Sequence, residues 1–268
     1  MTVILVIVDG LRPDAIHRVH SPHFDELMRN GAFSLTARSV KPSVTLPAHM
    51  TAFHSVPPEH HGVLDNTDRP LRHLGPGLFE QVDAESGSAA MVYSWGPLRE
   101  VARPGSLNFA HFQRLDFTDL PASDGPTVEV AAPLIERSAF DFLFVYLGAV
   151  DEIGHAHGWM SEEYLRQVEI TDAHLGRLAG ALGPDDVIMI AADHGGHDRG
   201  HGTDSPEDMT IPWLLMGPGV RRGVDLGTPV SLLDVAPTLA ALLNVPAARH
   251  WEGRVVTEAL SADGELYA

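Results

Sequence analysis

The sequence contains no cysteine, few basic residues and no long hydrophobic run. Without cysteine there is no disulfide framework, no thiol nucleophile and no thiolate metal site. Lys and Arg total 18 against 36 Asp and Glu, a formal net charge of -18. We therefore expect no nucleic acid polymer as a partner, because such binding depends on basic side chains that neutralise phosphates. A small anionic substrate stays possible, since bound divalent cations would offset the charge locally.

The longest apolar stretch near the N-terminus is only six residues, 3–8, and no basic leader precedes it. It is too short for a signal peptide or a membrane span. It predicts a buried first strand instead. We therefore expect a cytoplasmic protein with no membrane partner, while the sequence gives no indication of the oligomeric state.

The order of apolar segments favours an α/β fold. At 268 residues with 44% hydrophobic content, the chain can form one sizeable domain. Strand-like runs alternate with amphipathic helices, so we expect a three-layer α/β/α sandwich with a mostly parallel central sheet. The expected single domain covers residues 1–268, and residues 95–126 are expected to form a small cap or loop insertion over the site. The predicted strands are 3–8, 32–38, 89–93, 141–147, 187–192 and 211–216; the predicted helices are 21–28, 77–85, 128–137, 161–182 and 231–243.

Three of the predicted strands are followed by an acid. Asp9 directly follows the first strand, Asp193 the strand at 187–192, and Asp151 comes a short loop after the strand at 141–147. The carboxyl ends of parallel strands meet at one edge of a sheet, where ligands bind. Three carboxylates there would form a concentrated negative site that is costly unless cations occupy it. The alternative is that Asp9-Gly10 and Asp193-His194 are ordinary turns.

Histidine, with 16 residues, supplies further candidate metal ligands. Asp151 and His155 are four residues apart, so one helical turn would direct both towards the same point. Oxygen and nitrogen ligands without sulfur suit Zn, and also Mn or Mg where carboxylates dominate. Two such ions a few ångströms apart are the arrangement that holds both the attacking and the leaving oxygen of phosphoryl transfer.

A hydroxyl lies where a helix is expected to begin. Pro47 is placed at the helix start, with Thr45 at its mouth. There the hydroxyl would face unpaired backbone N–H groups and the positive end of the helix dipole, a setting that suits an anion. The alternative is that Thr45 is only an N-cap. Asn66, 21 residues beyond Thr45, indicates by itself only a turn in the segment 64–67.

Four segments, in this order, carry a resemblance to a known family. They are 8–10 (Val-Asp-Gly), 43–49 (Ser-Val-Thr-Leu-Pro-Ala-His), Asp151 with Gly154 and His155, and 193–196 (Asp-His-Gly-Gly). Together they resemble the alkaline phosphatase superfamily, and within it the nucleotide pyrophosphatase/phosphodiesterase branch and its phosphonoacetate hydrolase relatives. The chain differs from sulfatases, whose usual nucleophile motif needs cysteine. It also differs from the related phosphoglycerate mutases, which use serine and carry a large inserted domain.

The resemblance implies two metal sites and a covalent mechanism. One ion would be held by Asp151, His155 and a third histidine. His201 is the choice for that position, with His197 and His250 as alternatives. The resemblance places the other ion between Asp9, Thr45, Asp193 and His194. The family's nucleophile corresponds to Thr45, which would form a phosphothreonine, and the family's phosphoryl-oxygen donor corresponds to Asn66.

We therefore expect a two-metal hydrolase, with Zn as the first choice, acting on phosphodiesters, pyrophosphates or monoesters. The substrate would be a small phosphorylated molecule, with a nucleotide as one option. Leu46 stands where some relatives have an aromatic residue, which argues against base stacking at that position. The alternatives are a phosphonate hydrolase or a phosphomutase on the same scaffold, or a binding protein that is stabilised by metal and catalytically silent.

Overall fold

The computed structural model describes residues 1–67, 75–227 and 230–261. Residues 68–74, 228–229 and 262–268 lie outside these ranges. The strands are β1 (Val3–Val8), β2 (Ala32–Arg38), β3 (Ala89–Tyr93), β4 (Phe109–Phe112), β5 (Phe142–Leu147), β6 (Val187–Ala191), β7 (Thr210–Met216) and β8 (Val224–Asp225).

The helices separate into two groups that cover the sheet. One group packs around α8 and contains α1 (Pro13–Ile16), α2 (Pro22–Asn30), α6 (Gly125–Glu136), α7 (Ala149–His157) and α8 (Glu162–Ala179). The other packs around α3 and contains α3 (Thr45–His54), α4 (Pro58–His61), α5 (Leu78–Ala84) and α10 (Val235–Leu243). The short α9 (Pro206–Met209) precedes β7. The expected three-layer α/β/α architecture is confirmed.

The described strands form one sheet in the order β4-β3-β5-β1-β6-β7-β2-β8. β7 is antiparallel to both of its neighbours, β6 and β2, and every other neighbouring pair of described strands is parallel. A mostly parallel sheet was expected, but the direction of β7 could not be predicted from its apolar run. The structure also contains β4, which pairs with β3 inside the stretch 95–126. That part of the stretch therefore belongs to the sheet, and a cap over the site stays a prediction for the rest.

The centre of the sheet is β1, between β5 and β6. All six of its residues are buried, as expected for a parallel strand with helices on both faces. Val8 pairs with Leu147 of β5, and Ile7 pairs with Ala191 of β6. The three strands therefore end side by side, and whatever follows them is brought together at one edge.

Helix α3 is buried at all ten positions, which is unusual for a helix with two histidines and two threonines. Its side against the sheet is held by an aromatic cluster in which Phe53 stacks on Phe79 at 4.9 Å between ring centroids. Phe53 also meets Phe144 of β5 edge-on at 4.9 Å, and Phe79 meets Phe142 at 5.2 Å. This cluster fixes α3, and with it Thr45, relative to the strand ends.

No helix in the described ranges combines the length and the hydrophobicity needed to cross a lipid bilayer.

We predict that Phe79→Ala lowers the free energy of unfolding by about 3–5 kcal/mol, because it opens a cavity between α5, α3 and β5. Urea denaturation measures the change. Phe117→Ala is the control: the Phe117 side chain is 59% exposed, so its loss should change stability by less than about 0.5 kcal/mol. Equal losses in the two variants would contradict the role of the aromatic cluster.

Candidate active site

Three carboxylates meet beyond the ends of β1, β5 and β6. Asp9 follows β1, Asp193 comes two residues after β6, and Asp151 lies in the first turn of α7, which begins two residues after β5. Their exposed fractions are 1%, 0% and 7%. The neighbouring strand ends explain why residues so distant in sequence converge.

Each of these carboxylates keeps one buried oxygen that accepts no hydrogen bond: Oδ1 of Asp9, Oδ1 of Asp151 and Oδ2 of Asp193. The other oxygens are held by the protein. The Tyr146 hydroxyl donates to Asp9 Oδ2. Asp193 Oδ1 accepts from the backbone N–H groups of Gly10 at 3.2 Å and His194 at 2.9 Å. Buried charged oxygens without donors are costly, so their presence favours cations as their missing partners.

Three imidazoles surround the carboxylates, and each is anchored through Nδ1. His194 Nδ1 donates to Gly195 O at 2.8 Å, His201 Nδ1 to Ser43 O at 2.8 Å, and His155 Nδ1 to Arg199 O at 3.0 Å. A backbone carbonyl only accepts hydrogen bonds, so the proton of each neutral ring lies on Nδ1. The free lone pair is then on Nε2, the usual arrangement for a histidine that binds metal.

The Nε2 atoms point towards the carboxylates. His194 Nε2 lies 3.2 Å from Asp9 Oδ1 and 3.5 Å from Asp193 Oδ2. His155 Nε2 lies 3.3 Å from Asp151 Oδ2, and His201 Nε2 lies 3.7 Å from Asp151 Oδ1. The rings of His194 and His201 stack at 3.8 Å.

The candidate ligand atoms form two overlapping groups, each within 4.8 Å: one of Asp151, His155 and His201, and one of Asp9, Asp151 and His194. The first is the set that the resemblance implied. The second contains Asp151 as well as Asp9 and His194, so the structure places Asp151 between the two groups. Asp193, which the resemblance placed with Asp9 and His194, is not in this group, although its Oδ2 lies 3.5 Å from His194 Nε2. The sequence had assigned Asp151 to one group only.

The alternative histidines lie in other surroundings. His197 Nδ1 contacts Asp208 Oδ1 at 2.7 Å. The ring of His250 packs on the backbone at Gly75. Neither belongs to the two groups of possible ligands found among the described residues.

Thr45 is the first residue of α3 and is 4% exposed. Its Oγ1 lies 3.3 Å from His194 Nε2, which places the hydroxyl beside the second group. Val44, rather than Thr45, occupies the N-cap position. The Thr45 hydroxyl is therefore not used to cap its own helix.

Asn66 lies against the same helix end, although its side chain is exposed. Its Oδ1 accepts a hydrogen bond from the Leu46 N–H at 2.8 Å. The carbonyl side of the amide is thus fixed by α3, and the NH2 group stays available for a ligand near Thr45.

Burial and mutual repulsion perturb the carboxylates. Burial, followed by the charges of Asp193 and Asp151, raises the pKa of Asp9 well above its usual value. Burial and the charge of Asp151 raise the pKa of Asp193 to about 8. The hydrogen bond to Asp151 raises the pKa of His155 to about 9, whereas burial lowers the pKa of His201 to about 4. Neutral His201 is in the protonation state that binds metal.

Two residues at the site were not assigned a role from the sequence. Tyr146, the one polar side chain in the apolar strand β5, orients Asp9. His49, in α3, donates from Nδ1 to Thr45 O at 2.8 Å and lies 3.5 Å from Asp193 Oδ2. A polar aromatic side chain in a buried strand needs a hydrogen-bond partner, and that requirement was the available signal for Tyr146.

The fold is alkaline phosphatase-like, as three solved structures of low sequence identity show. Murine ectonucleotide pyrophosphatase/phosphodiesterase 5, in an inactive variant in complex with AMP, superposes with a TM-score of 0.82 over 97% of this chain and 100% of that chain, at 16% identity. The alkaline phosphatase PafA, as a multiple mutant, gives 0.81 over 97% and 99% at 13% identity. The phosphonate monoester hydrolase of Silicibacter pomeroyi gives 0.74 over 98% and 78% at 15% identity.

The sequence identifies the family within this class. The family model of type I phosphodiesterase / nucleotide pyrophosphatase matches residues 3–204, and the chain belongs to this family.

Curated relatives match over part of their length. The phosphopentomutase of Symbiobacterium thermophilum is 35% identical over 124 residues, 46% of this chain and 31% of that protein. The human GPI ethanolamine phosphate transferase 3 catalytic subunit is 28% identical over 166 residues, 59% of this chain and 15% of that protein. The chain thus matches 31% of the length of the first relative and 15% of the length of the second.

We predict that the metal-stripped wild type loses stability relative to metal-stripped Asp193→Asn as the pH rises from about 4 towards about 8. The pKa of Asp193 is about 8 in the folded protein and about 3.9 in an unfolded chain, so the unfolded state releases the proton first. Urea denaturation in chelator across this range measures the effect, and the raised pKa of Asp9 acts in the same direction.

Asp193→Asn is the matched control, because it removes that ionisation and should flatten the pH dependence. Saturating zinc should reverse the trend in the wild type, since metal binding displaces protons. Parallel pH profiles for the metal-stripped wild type and Asp193→Asn would contradict the prediction.

Proposed function

We propose that this protein hydrolyses phosphate esters with two divalent cations and with Thr45 as a nucleophile that becomes phosphothreonine. Its family supports phosphate ester hydrolysis or transfer in general terms. The observation that carries this proposal is the position of the Thr45 hydroxyl, 3.3 Å from His194 Nε2. The same Nε2 lies 3.2 Å from Asp9 Oδ1 and 3.5 Å from Asp193 Oδ2, two carboxylate oxygens that accept no hydrogen bond.

The residues present fit two cations. Three imidazole Nε2 atoms lie within 3.7 Å of carboxylate oxygens, and three carboxylate oxygens there accept no hydrogen bond. Metal binding would displace the proton that Asp151 holds on His155 Nε2, and none of the ligands is a thiolate. One ion would be held by Asp151, His155 and His201, the other by Asp9, Asp193, His194 and Thr45. This donor set favours Zn, with Mn or Mg as alternatives. When bound, such ions would lower the pKa of a coordinated hydroxyl and stabilise negative charge on phosphoryl oxygens.

The protein's own residues supply position and orientation. The buried helix α3 presents Thr45 Oγ1 to the substrate, where it attacks phosphorus as the bond to the leaving oxygen breaks. The product of this step is phosphothreonine, and water then cleaves it, releases phosphate or a phosphomonoester, and restores the hydroxyl. The Asn66 NH2 group would donate to a non-bridging oxygen, where negative charge develops.

The relatives support this scheme as analogies. The murine phosphodiesterase 5 in complex with AMP is described as inactive and carries a threonine-to-alanine change, which is in keeping with a threonine nucleophile. It also supports a nucleotide as one substrate class for this chain.

A second candidate is transfer of the phosphoryl group to another hydroxyl, or cleavage of a phosphonate ester. The similarity to phosphopentomutase supports the transfer reaction, and the similarity to a phosphonate monoester hydrolase supports phosphonate cleavage. Assays with nitrophenyl esters of phosphate (monoester and diester) and phosphonate, with Zn or Mn, separate the hydrolytic options. Phosphorus NMR in the presence of a sugar acceptor distinguishes transfer, which forms a new ester without free phosphate.

We predict that Thr45→Ala abolishes turnover because the attacking oxygen is lost, while the metal content stays at the wild-type level because Asp9, Asp193 and His194 still hold the second ion. Turnover of nitrophenyl substrates and elemental analysis measure the two properties. Thr45→Ser should retain part of the activity, because it keeps a hydroxyl. Thr51→Ala, a change elsewhere in the same helix, is the control and should remain active. Wild-type turnover in Thr45→Ala would exclude the covalent mechanism.

We predict that Asn66→Ala lowers kcat about 100-fold, equivalent to ~3 kcal/mol of transition-state stabilisation. Asn66→Asp is the sharper test. It keeps an acceptor for the Leu46 N–H but removes the NH2 donor, so it should be at least as slow as Asn66→Ala. An Asn66→Asp enzyme with wild-type kcat would contradict the donor role.

A further inference from the structure

Trp159 lies between α7 and α8 and is 7% exposed. One face of its indole packs on Gly154 in α7, where a Cβ would lie 2.7 Å from the ring. Gly196, in the loop after β6, also packs on the ring, and a Cβ there would lie 2.3 Å away. Both glycines permit a backbone approach that any side chain would prevent. The indole therefore separates two segments that carry candidate metal ligands.

The polar atoms of Trp159 join one further segment to this pair and contact the loop after β6 a second time. Its Nε1–H donates to Gly10 O at 2.9 Å, next to Asp9. The Tyr164 hydroxyl donates to the same oxygen at 2.8 Å. The backbone N–H of Trp159 donates to Asp198 O at 2.8 Å, in the turn that precedes His201. One residue thus contacts the segments that follow β1, β5 and β6.

The indole also contacts two candidate ligands directly. The ring of His155 meets it edge-on, with centroids 5.1 Å apart, and the ring of His201 lies 5.9 Å away in a similar orientation. Each imidazole is held at Nδ1 by a backbone carbonyl, and the indole contacts it as a second, independent restraint. A rigid aromatic ring in close packing transmits small displacements rather than absorbing them.

We propose that Trp159 is a positioning residue for the cation held by Asp151, His155 and His201. It sets the spacing of α7 and the 197–201 loop, and so the distance between the two imidazole Nε2 atoms. This inference rests on the proposed metal-dependent function. It goes beyond that function because it makes the metal affinity of the site depend on a tryptophan that binds no ion itself. Residues that orient metal ligands typically change affinity 10–100-fold when replaced.

Trp159→Phe tests the proposal, because phenylalanine keeps an aromatic ring but loses Nε1 and part of the packed surface. The probe is Zn²⁺ alone, added to metal-stripped full-length protein in competition with a chromogenic chelator. We expect the Kd of one of the two ions to rise at least about tenfold. The increase in Tm caused by zinc should shrink accordingly.

Trp251→Phe is the matched control. The Trp251 Nε1–H also donates to a backbone carbonyl, that of Pro76, at 3.1 Å. The variant should lose some stability but keep both zinc affinities within about twofold. A purely structural Trp159 would lower the Tm of metal-stripped protein in the same way and leave both affinities unchanged, and that result would overturn the proposal.

Gly196→Ala provides a second route if Trp159→Phe does not fold. The added methyl group would press on the indole and should weaken the binding of the same ion. Unchanged zinc affinity in folded Gly196→Ala protein would also overturn the proposal. The proposed function fails separately, if wild-type protein binds no divalent ion or if Thr45→Ala keeps full turnover.

Discussion

The arrangement depends on three buried carboxylates, Asp9, Asp151 and Asp193, whose negative charges repel one another. Each carboxylate has one oxygen satisfied by the protein and one that is not. Burial and mutual repulsion together raise the pKa of Asp9 and Asp193, so without cations at least some of the charge would be removed by protons. The proposed cations would satisfy all three unpaired oxygens at once. The site is thus organised around charges that the polypeptide leaves uncompensated.

The central sheet makes this concentration of charge possible. Because β5, β1 and β6 are adjacent and parallel, their three carboxyl ends deliver acids to one edge, while the apolar interior of each strand stabilises the sheet below. The hydrophobic core therefore offsets the cost of the charged edge. The second requirement is rigidity, since uncompensated carboxylates would move apart if they could. Tyr146 at Asp9 and the backbone N–H groups at Asp193 restrain them.

The sequence predicted much of this, for a physical reason. An acid that directly follows a buried strand must lie at the sheet edge where that strand ends. The sequence alone therefore placed Asp9 and Asp193 correctly at that edge. The Asp151–His155 pair followed from helical spacing. Other features depend on contacts between distant segments and leave no local pattern. The antiparallel direction of β7, the edge strand β4 and the position of Asp151 between both groups are of this kind. The contacts of Trp159 also could not be predicted, because a large aromatic residue is typical of an ordinary core position and two of its partners are glycines.

Helix α3 shows why the proposed nucleophile and the proposed metal ligands must be considered together. A hydroxyl at an exposed helix start would be solvated and would cap the backbone, as threonine commonly does. Here the buried aromatic cluster holds α3 against β5, Val44 takes the N-cap position, and Asn66 accepts from the Leu46 N–H. These three features leave the Thr45 hydroxyl directed at His194. His49, one turn further on, joins Thr45 O to the surroundings of Asp193. The core packing of one helix thus fixes the distance between the hydroxyl and the carboxylates.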